Sequence, residues 1–259
     1  MNAISNVLFL LQHAFLSVRS MSSVMLLIVV GGDVCADPAQ IVIPAFSAQN
    51  NQQIPVKWQA YGFDDIAHTD YTLVVDDGVT VLRAKSDDSA SGLIHHIRFN
   101  PHDYPYISWR WKMLRALDKS DARAKSTDDY ALRLYINFDF DLEKLPFDEQ
   151  FGARLYRRLR GDNAPLASLN YIWENQLSKD TLIASPYTER VQMWVLQNRQ
   201  SEPGVWNTEQ RNIVEDYTQA FGEPPSDVIS IAVMTDSDNT QGASLAYYGD
   251  IVLSKTAKK

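Results

Sequence analysis

Alternation of apolar and polar residues runs through most of this chain and predicts β-strands. The clearest case is residues 130–140, where Leu132, Leu134, Ile136, Phe138 and Phe140 alternate with Arg133, Tyr135, Asn137 and Asp139. A period of two places the two sets on opposite faces of a sheet, so the apolar set is expected in the core. Further strands are predicted at residues 71–76, 79–85, 92–99, 106–114, 169–173, 191–198, 228–235 and 244–253.

Turn and helix signals punctuate these strands. Asp77-Gly78 lies between the first two of the shorter strands and predicts a tight hairpin, because both turn positions favour positive φ. Residues 146–159 carry apolar side chains every four residues, which predicts an amphipathic helix. A second helix is predicted to open at Asn207, with Gln210 three residues on, and to end at Gly222.

Many strands, few helices and no regular strand–helix alternation favour a mainly β fold. The expected architecture is a two-sheet antiparallel sandwich, jelly-roll-like, with two peripheral helices. Residues 37–259 contain no internal repeat and no Gly- or Ser-rich linker, so they are expected to form a single sandwich domain.

The N-terminal residues 1–36 have the layout of a secretory signal peptide. Arg19 precedes an apolar run at 24–30, and small residues lead to a cleavage site after Ala36. The run is shorter than the roughly 20 residues of a spanning helix, so an uncleaved signal is the one membrane association we expect. Cys35, the single cysteine, would leave with the signal, which fits a periplasmic or secreted protein without disulfides or thiol chemistry.

The charge balance narrows the class of partner. The chain has 24 Lys and Arg against 32 Asp and Glu, a formal net charge of −8. A net acidic protein is a poor partner for nucleic acid or an anionic membrane surface. The expected partner is a glycan or another envelope component, and the sequence leaves the oligomeric state open.

A polar and aromatic surface is the first candidate site. If Trp109 and Trp111 point inward, Arg110 and Lys112 share the outer face of their strand, and polar residues of the strand at 130–140 are expected to join them from a neighbouring strand. The candidate ligand-binding set is Arg110, Lys112, Arg133, Tyr135, Asn137, Tyr171 and Trp173. Guanidinium groups, amides and aromatic rings suit an anionic sugar. The alternative is a solvated sheet face covered by long side chains.

A calcium site is the second candidate. Asp236 and Asp238 alternate in an acidic loop after a predicted strand, with Asp250 as a distant partner. The loop lacks the glycine and the distal glutamate of the helix–loop–helix calcium motif, and a turn bonded to its own backbone is the alternative. The tandem pair Asp128-Asp129 could also bind calcium, or anchor Arg110.

Nine short segments, in this order, carry a family resemblance. They are Tyr71-Thr72-Leu73-Val74, Val81-Leu82-Arg83-Ala84, Ser89-Ala90-Ser91-Gly92-Leu93, Ser108-Trp109-Arg110-Trp111-Lys112, Asp128-Asp129-Tyr130-Ala131, Tyr171-Ile172-Trp173, Asp216-Tyr217 with Ala220-Phe221-Gly222, Met234-Thr235-Asp236-Ser237-Asp238-Asn239-Thr240, and Tyr248-Gly249-Asp250-Ile251. In these segments the chain resembles the bacterial family called domain of unknown function 3047. The resemblance implies an exported bacterial protein with a sandwich-like domain, and it assigns no catalytic residues.

Three functions stay open from the sequence. The leading hypothesis is non-catalytic binding of a carbohydrate or another envelope ligand. An alternative is a polysaccharide lyase or hydrolase acting on an acidic glycan, with Tyr135 as base beside Arg133 or Arg110; the paired acidic motif Glu-x-Asp-x-x-Glu of jelly-roll glucanases is absent. The third is an envelope structural or assembly partner that uses the arginines at 154–160. Fold alone cannot choose among them, so whether the protein is an enzyme is left open.

Overall fold

The computed structural model describes residues 39–49, 54–140, 142–144, 150, 154 and 166–258. The expected signal peptide, residues 1–36 with Cys35, lies outside these residues, as does nearly all of the helix predicted at 146–159. Among the described residues, no helix is both long and apolar enough to cross a membrane.

Fourteen strands form the described part of the chain. In chain order they are β1 (Gln40–Val42), β2 (Gln59–Gly62), β3 (Asp70–Asp76), β4 (Val79–Asp87), β5 (Ala90–Phe99), β6 (Tyr106–Arg115), β7 (Arg133–Phe138), β8 (Ala167–Trp173), β9 (Leu182–Ser185), β10 (Thr188–Gln197), β11 (Asn207–Asn212), β12 (Val228–Asp236), β13 (Ala243–Tyr248) and β14 (Val252–Ser254). Short 3-10 turns lie at Lys125–Thr127 and Leu142–Lys144.

The strands pair into two seven-stranded sheets. Sheet 1 has the order β1-β14-β6-β13-β4-β3, with β11 also paired to β6. Sheet 2 has the order β2-β5-β12-β7-β8-β10-β9, and within it β8 and β10 are parallel. The other strand pairs are antiparallel. The predicted hairpin joins β3 to β4, with φ of 49° at Asp77 and 78° at Gly78.

The inner faces of the two sheets share one aromatic core. The ring centroid of Trp109 in sheet 1 lies 5.2 Å from that of Tyr171 in sheet 2, and Trp111 lies 6.3 Å from Trp173. Leu134 and its apolar partners along β7 are fully buried in the same cluster, as the alternation predicted. The expected two-sheet sandwich, mainly β and mainly antiparallel, is therefore confirmed.

The helix α1 (Ile213–Phe221) begins later than the sequence predicted. Residues 207–212 form β11 instead, because they pair in register with β6 along its outer edge. Asn212 is the N-cap, and its side-chain oxygen accepts hydrogen bonds from the backbone N–H groups of Val214 and Glu215. The predicted end is confirmed, since Gly222 caps the helix with φ of 75°.

One further strand prediction was wrong. Residues 244–253 form two strands, β13 and β14, because residues 249–251 leave the ladder between them. In that break the N–H of Gly249 donates to the carbonyl of Arg110 on β6 (2.8 Å). The break therefore brings the backbone of Gly249 beside Arg110 of β6.

Candidate functional site

The outer face of sheet 2 carries a row of polar side chains at its centre. These side chains alternate along β7, β8 and β12 with residues that face the core. The polar row consists of Arg133, Tyr135, Asn137, Ser168, Asn170 and Ser230. Cross-strand register places Tyr135 beside Asn170, and Asn137 between Ser168 and Ser230. All six are buried except Tyr135, which is half-buried.

Hydrogen bonding within the polar row is complete at one end and missing at its centre. The hydroxyl of Ser168 donates to Oδ1 of Asn137 (2.7 Å), and Nδ2 of Asn137 donates to the hydroxyl of Ser230 (2.9 Å). Asn170 is 0% exposed, yet neither Oδ1 nor Nδ2 of its amide has a hydrogen-bond partner. Buried amides are nearly always bonded, so the Asn170 amide is exceptional in having both a donor and an acceptor unsatisfied.

Two tyrosines connect the polar row to the surface. Tyr61 of β2 and Tyr135 are both half-buried. The Tyr61 ring lies over Gly92, where a Cβ atom would come within 2.4 Å of it. Burial raises the pKa of Tyr61 well above its ordinary value, and nearby Tyr135 raises it further while Arg133 lowers it. Aromatic side chains therefore line the edge of the row beside its guanidinium group.

Arg133 is held by a dense set of partners. Its Nη1 donates to the Tyr135 hydroxyl (2.8 Å), and its Nη2 lies 2.7 Å from Asp236 Oδ2 and 3.2 Å from Asp128 Oδ2. Burial raises the pKa of Asp236 well above its ordinary value, against the lowering effect of Arg133. Burial also raises the pKa of the Tyr135 hydroxyl, again against Arg133. The charge of Arg133 is thus compensated inside the protein, and Asp128 anchors Arg133 rather than Arg110.

An acidic cluster of Asp129, Asp236 and Asp238 lies at the end of the polar row. One carboxylate oxygen from each residue lies within 4.8 Å of the others. That spacing fits a single calcium ion, whose oxygen ligands lie at about 2.3–2.6 Å. Asp129 also accepts hydrogen bonds from the N–H groups of Asn239 (3.1 Å) and Thr240 (2.7 Å), which tie it to the predicted loop.

The third predicted calcium ligand does not belong to this group. The Oδ1 atom of Asp250 accepts a hydrogen bond from the N–H of Ser47 (3.0 Å), its Oδ2 accepts one from the Ser47 hydroxyl, and Asp250 lines a cleft on sheet 1. Asp129 takes its place beside Asp236 and Asp238. The sequence could not show this, because Asp129 precedes β7 and meets the loop after β12 only through sheet pairing.

Arg110 and Lys112 share a face as predicted, but it is the outer face of sheet 1. The prediction that Arg133 and its neighbours join them was wrong, because β6 and β7 belong to different sheets. The Lys112 ammonium pairs with Asp76 and lies 5.0 Å from the Trp206 ring centroid. Burial raises the pKa of Asp76, but hydrogen bonds from Lys112 and Trp206 outweigh it, so the pKa is lowered.

Tyr171 and Trp173 lie in the core and not on a ligand-binding surface. Both alternate with Asn170 along β8, and both are at most 2% exposed. The Tyr171 hydroxyl donates to Asp216 Oδ2 (2.7 Å), which also accepts a bond from Arg211 Nε (2.8 Å). Asn170 was not among the predicted site residues, although the alternation along β8 places it on the outer face.

The family comparison decides where the chain belongs. The profile of the family described as "Protein of unknown function (DUF3047)" matches residues 56–252. The chain belongs to the DUF3047 family. The range matched to DUF3047 contains the whole polar row, the acidic cluster and Arg110. No curated protein sequence matches this DUF3047 chain at a significant level.

Solved structures share only a loose likeness in fold with this DUF3047 chain. The cellulose-induced protein Cip1 is 11% identical, with a TM-score of 0.41, over 83% of this chain and 97% of that one. A lectin from Bauhinia forficata in complex with GalNAc is 11% identical, with a TM-score of 0.36, over 84% and 99%. The glycoside hydrolase domain of Endo-D from Streptococcus pneumoniae R6 is 7% identical, with a TM-score of 0.33, over 78% of this chain and 22% of that one. With TM-scores this low, these likenesses say nothing about the ligand of this chain.

Proposed function

We propose that this protein is exported and binds a carbohydrate, without catalysis, at the polar row of sheet 2. The observation that carries the proposal is the Asn170 amide, which is fully buried and has no partner for either polar atom. A buried amide in that state costs free energy unless a ligand bonds it. Asn170 is therefore expected to bond the ligand directly.

The chemistry around Asn170 favours an uncharged, hydroxyl-rich ligand. An amide supplies one acceptor and two donors, which match the paired donor and acceptor character of sugar hydroxyls. The half-buried rings of Tyr61 and Tyr135 offer apolar surface for the carbon face of a sugar. Arg133 is already paired with Asp236 and Asp128, so the row presents no free cation to an anionic group.

The alternative functions receive less support from the same residues. A lyase would need Tyr135 as a base, but burial raises the pKa of its hydroxyl and so disfavours the reactive phenolate. The assembly hypothesis rests on the arginines at 154–160, of which only Arg154 lies among the described residues; its Nη2 donates to Gln150 Oε1 (3.3 Å).

A binding experiment with one substitution in the polar row and one control substitution tests the proposal. The purified protein is screened against a panel of neutral and acidic glycans, and hits are measured by isothermal titration calorimetry. We expect a neutral glycan to bind, and Asn170→Ala to weaken that binding by about tenfold or more, since an amide in a buried site contributes about 1.4 kcal/mol or more. Arg110→Gln, on the other sheet, should leave it unchanged. Absence of any glycan ligand, or unchanged affinity in Asn170→Ala, would contradict the proposal.

Export is tested separately from binding. The signal layout around Arg19 and Ala36 supports delivery to the periplasm or outside the cell. We expect cell fractionation to recover the protein outside the cytosol, with an N-terminus at Asp37. Recovery in the cytosol with residues 1–36 intact would refute export while leaving the binding proposal open to its own test.

A further inference from the structure

A cleft of about 520 Å³ lies on the outer face of sheet 1, on the opposite side of the sandwich from the polar row. We call it the Arg110 cleft. Its floor is formed by Ser108 and Arg110 of β6, which pair in register with Gln210 and Thr208 of β11. Pockets for small ligands have volumes of about 300–1,000 Å³, so the cleft can hold a ligand of two or three sugar rings at most.

Arg110 is fixed in the cleft by stacking and forms no salt bridge with the described residues, although its charge helps to lower the pKa of Asp76. The central carbon of its guanidinium lies 4.4 Å from the centroid of the Trp206 ring. Its aliphatic stem crosses Gly249, where a Cβ atom would come within 2.5 Å of Arg110 Cγ. Across the described part of the chain, its guanidinium makes no hydrogen bond or ion pair with any residue. Arg110 therefore offers pre-oriented, unused donors, which suit bidentate binding of a carboxylate.

A second, independent observation points to a ligand in the same cleft. Ser108 is 6% exposed, and its hydroxyl is buried without a hydrogen-bond partner. Along the floor, Thr208 and Gln210 are exposed and carry further hydroxyl and amide groups. The floor of the cleft thus combines the Arg110 guanidinium with neutral groups that can bond hydroxyls.

Three further charged residues line the cleft: Glu209, Asp250 and Lys258. Glu209 Oε1 accepts hydrogen bonds from Trp111 Nε1 (3.0 Å) and Gln197 Nε2 (2.7 Å). Both carboxylate oxygens of Asp250 accept hydrogen bonds from Ser47, which spreads their charge. Lys258 lies at the rim and adds a second positive charge. Lys112, by contrast, is paired with Asp76 and is not free for a ligand.

We propose that the Arg110 cleft binds a sugar acid, with the carboxylate on Arg110 and the sugar hydroxyls on Ser108 and its neighbours. This site is separate from the polar row and does not depend on the function proposed for it. Its ligand differs in charge, because the cleft contains an unpaired guanidinium whereas the row contains a compensated one.

Titration with matched sugars tests the chemical class of the ligand. The probes are trigalacturonate, the neutral galactotriose and inorganic phosphate, each titrated into the full chain carrying Asn170→Ala, so that the contact expected for a neutral sugar at the polar row is removed. We expect trigalacturonate to bind about tenfold or more tightly than galactotriose, the effect of one charge-assisted contact. Equal affinity for the two trisaccharides would overturn the role of Arg110. Phosphate binding as tight as trigalacturonate would overturn the assignment to sugars.

Three variants and a control test the residues. Arg110→Gln is expected to weaken trigalacturonate binding about tenfold or more, whereas Arg83→Gln on the same face, where Arg83 already pairs with Asp70 (3.0 Å), should not. Ser108→Ala should weaken binding without lowering the melting temperature, because its hydroxyl has no partner in the protein. Gly249→Ala should weaken binding by displacing the Arg110 stem. Full affinity in Arg110→Gln, or loss of trigalacturonate binding in Asn170→Ala, would refute a separate site.

Discussion

Replacement of two amides in the polar row by alanine gives a sharp test of how the row is built. Asn137 and Asn170 are both buried on the outer face of sheet 2, and Asn→Ala removes the same atoms from each. Asn137 bonds Ser168 and Ser230, whereas Asn170 bonds neither residue nor any other. Since the change in side-chain volume is the same, the difference between the two variants isolates hydrogen bonding.

The expected changes in the free energy of unfolding follow from the hydrogen bonds that each amide makes. Asn137→Ala breaks two hydrogen bonds of about 0.5–1.5 kcal/mol each, so the free energy of unfolding should fall by about 1–3 kcal/mol from this cause. Asn170→Ala removes an unsatisfied amide whose burial costs about 1–3 kcal/mol. The two variants should therefore differ by about 2–6 kcal/mol, with Asn170→Ala the more stable.

Urea denaturation of protein refolded without ligand measures this difference. Refolding matters because a ligand carried through purification would stabilise the native state and hide the cost of the amide. Equal losses of unfolding free energy in the two variants would refute the reasoning, since Asn170 would then be as well bonded as Asn137. When the experiment is repeated with glycan bound, Asn170→Ala should have a lower free energy of unfolding than the native protein. The reason is that the variant loses the contact between Asn170 and the ligand.

Three further results are expected from buried and half-buried charged groups. Asp216→Asn should lower the free energy of unfolding by about 1–3 kcal/mol, measured by urea denaturation. The hydrogen bonds from Tyr171 and Arg211 would then lose their charged carboxylate acceptor. Burial raises the pKa of Glu209 in the folded protein, so its proton leaves at lower pH in the unfolded chain; stability should fall as pH rises between the two pKa values, and Glu209→Gln should lose this dependence in thermal melts across pH. Calcium should raise the melting temperature of the protein but not of Asp238→Asn, and an equal rise in both would exclude the acidic cluster as the site.

Local pattern predicted the faces of the strands but could not predict which strands meet. Alternation placed Arg110 and Lys112 on one face, and Arg133 and Tyr135 on the face of β7 opposite its apolar residues, as observed. A hairpin turn such as Asp77-Gly78 predicts the pairing of neighbouring strands, but pairing between strands far apart in sequence, such as β7 with β12, has no local signal. For that reason the sequence predicts one polar surface containing both Arg110 and Arg133, whereas these residues lie on the outer faces of different sheets.

Competing local signals explain the error at the start of α1. Asn207 and Gln210 have the spacing of a capping box, but so do Asn212 and Glu215 five residues later. The second pair forms the cap because residues 207–212 pair with six residues of β6. Pairing with an existing strand outweighs a helix-capping preference of about 1 kcal/mol.

The environment of Trp206 makes its fluorescence an intrinsic probe of the Arg110 cleft. Of the six tryptophans in the chain, the other five are buried, while Trp206 is half-buried beneath the Arg110 guanidinium. A Trp206→Phe protein would report only the core in its emission, and subtraction from the native spectrum would isolate one fluorophore. Movement of Arg110 would change the field across that indole, so events in the cleft could be followed in real time without any attached dye.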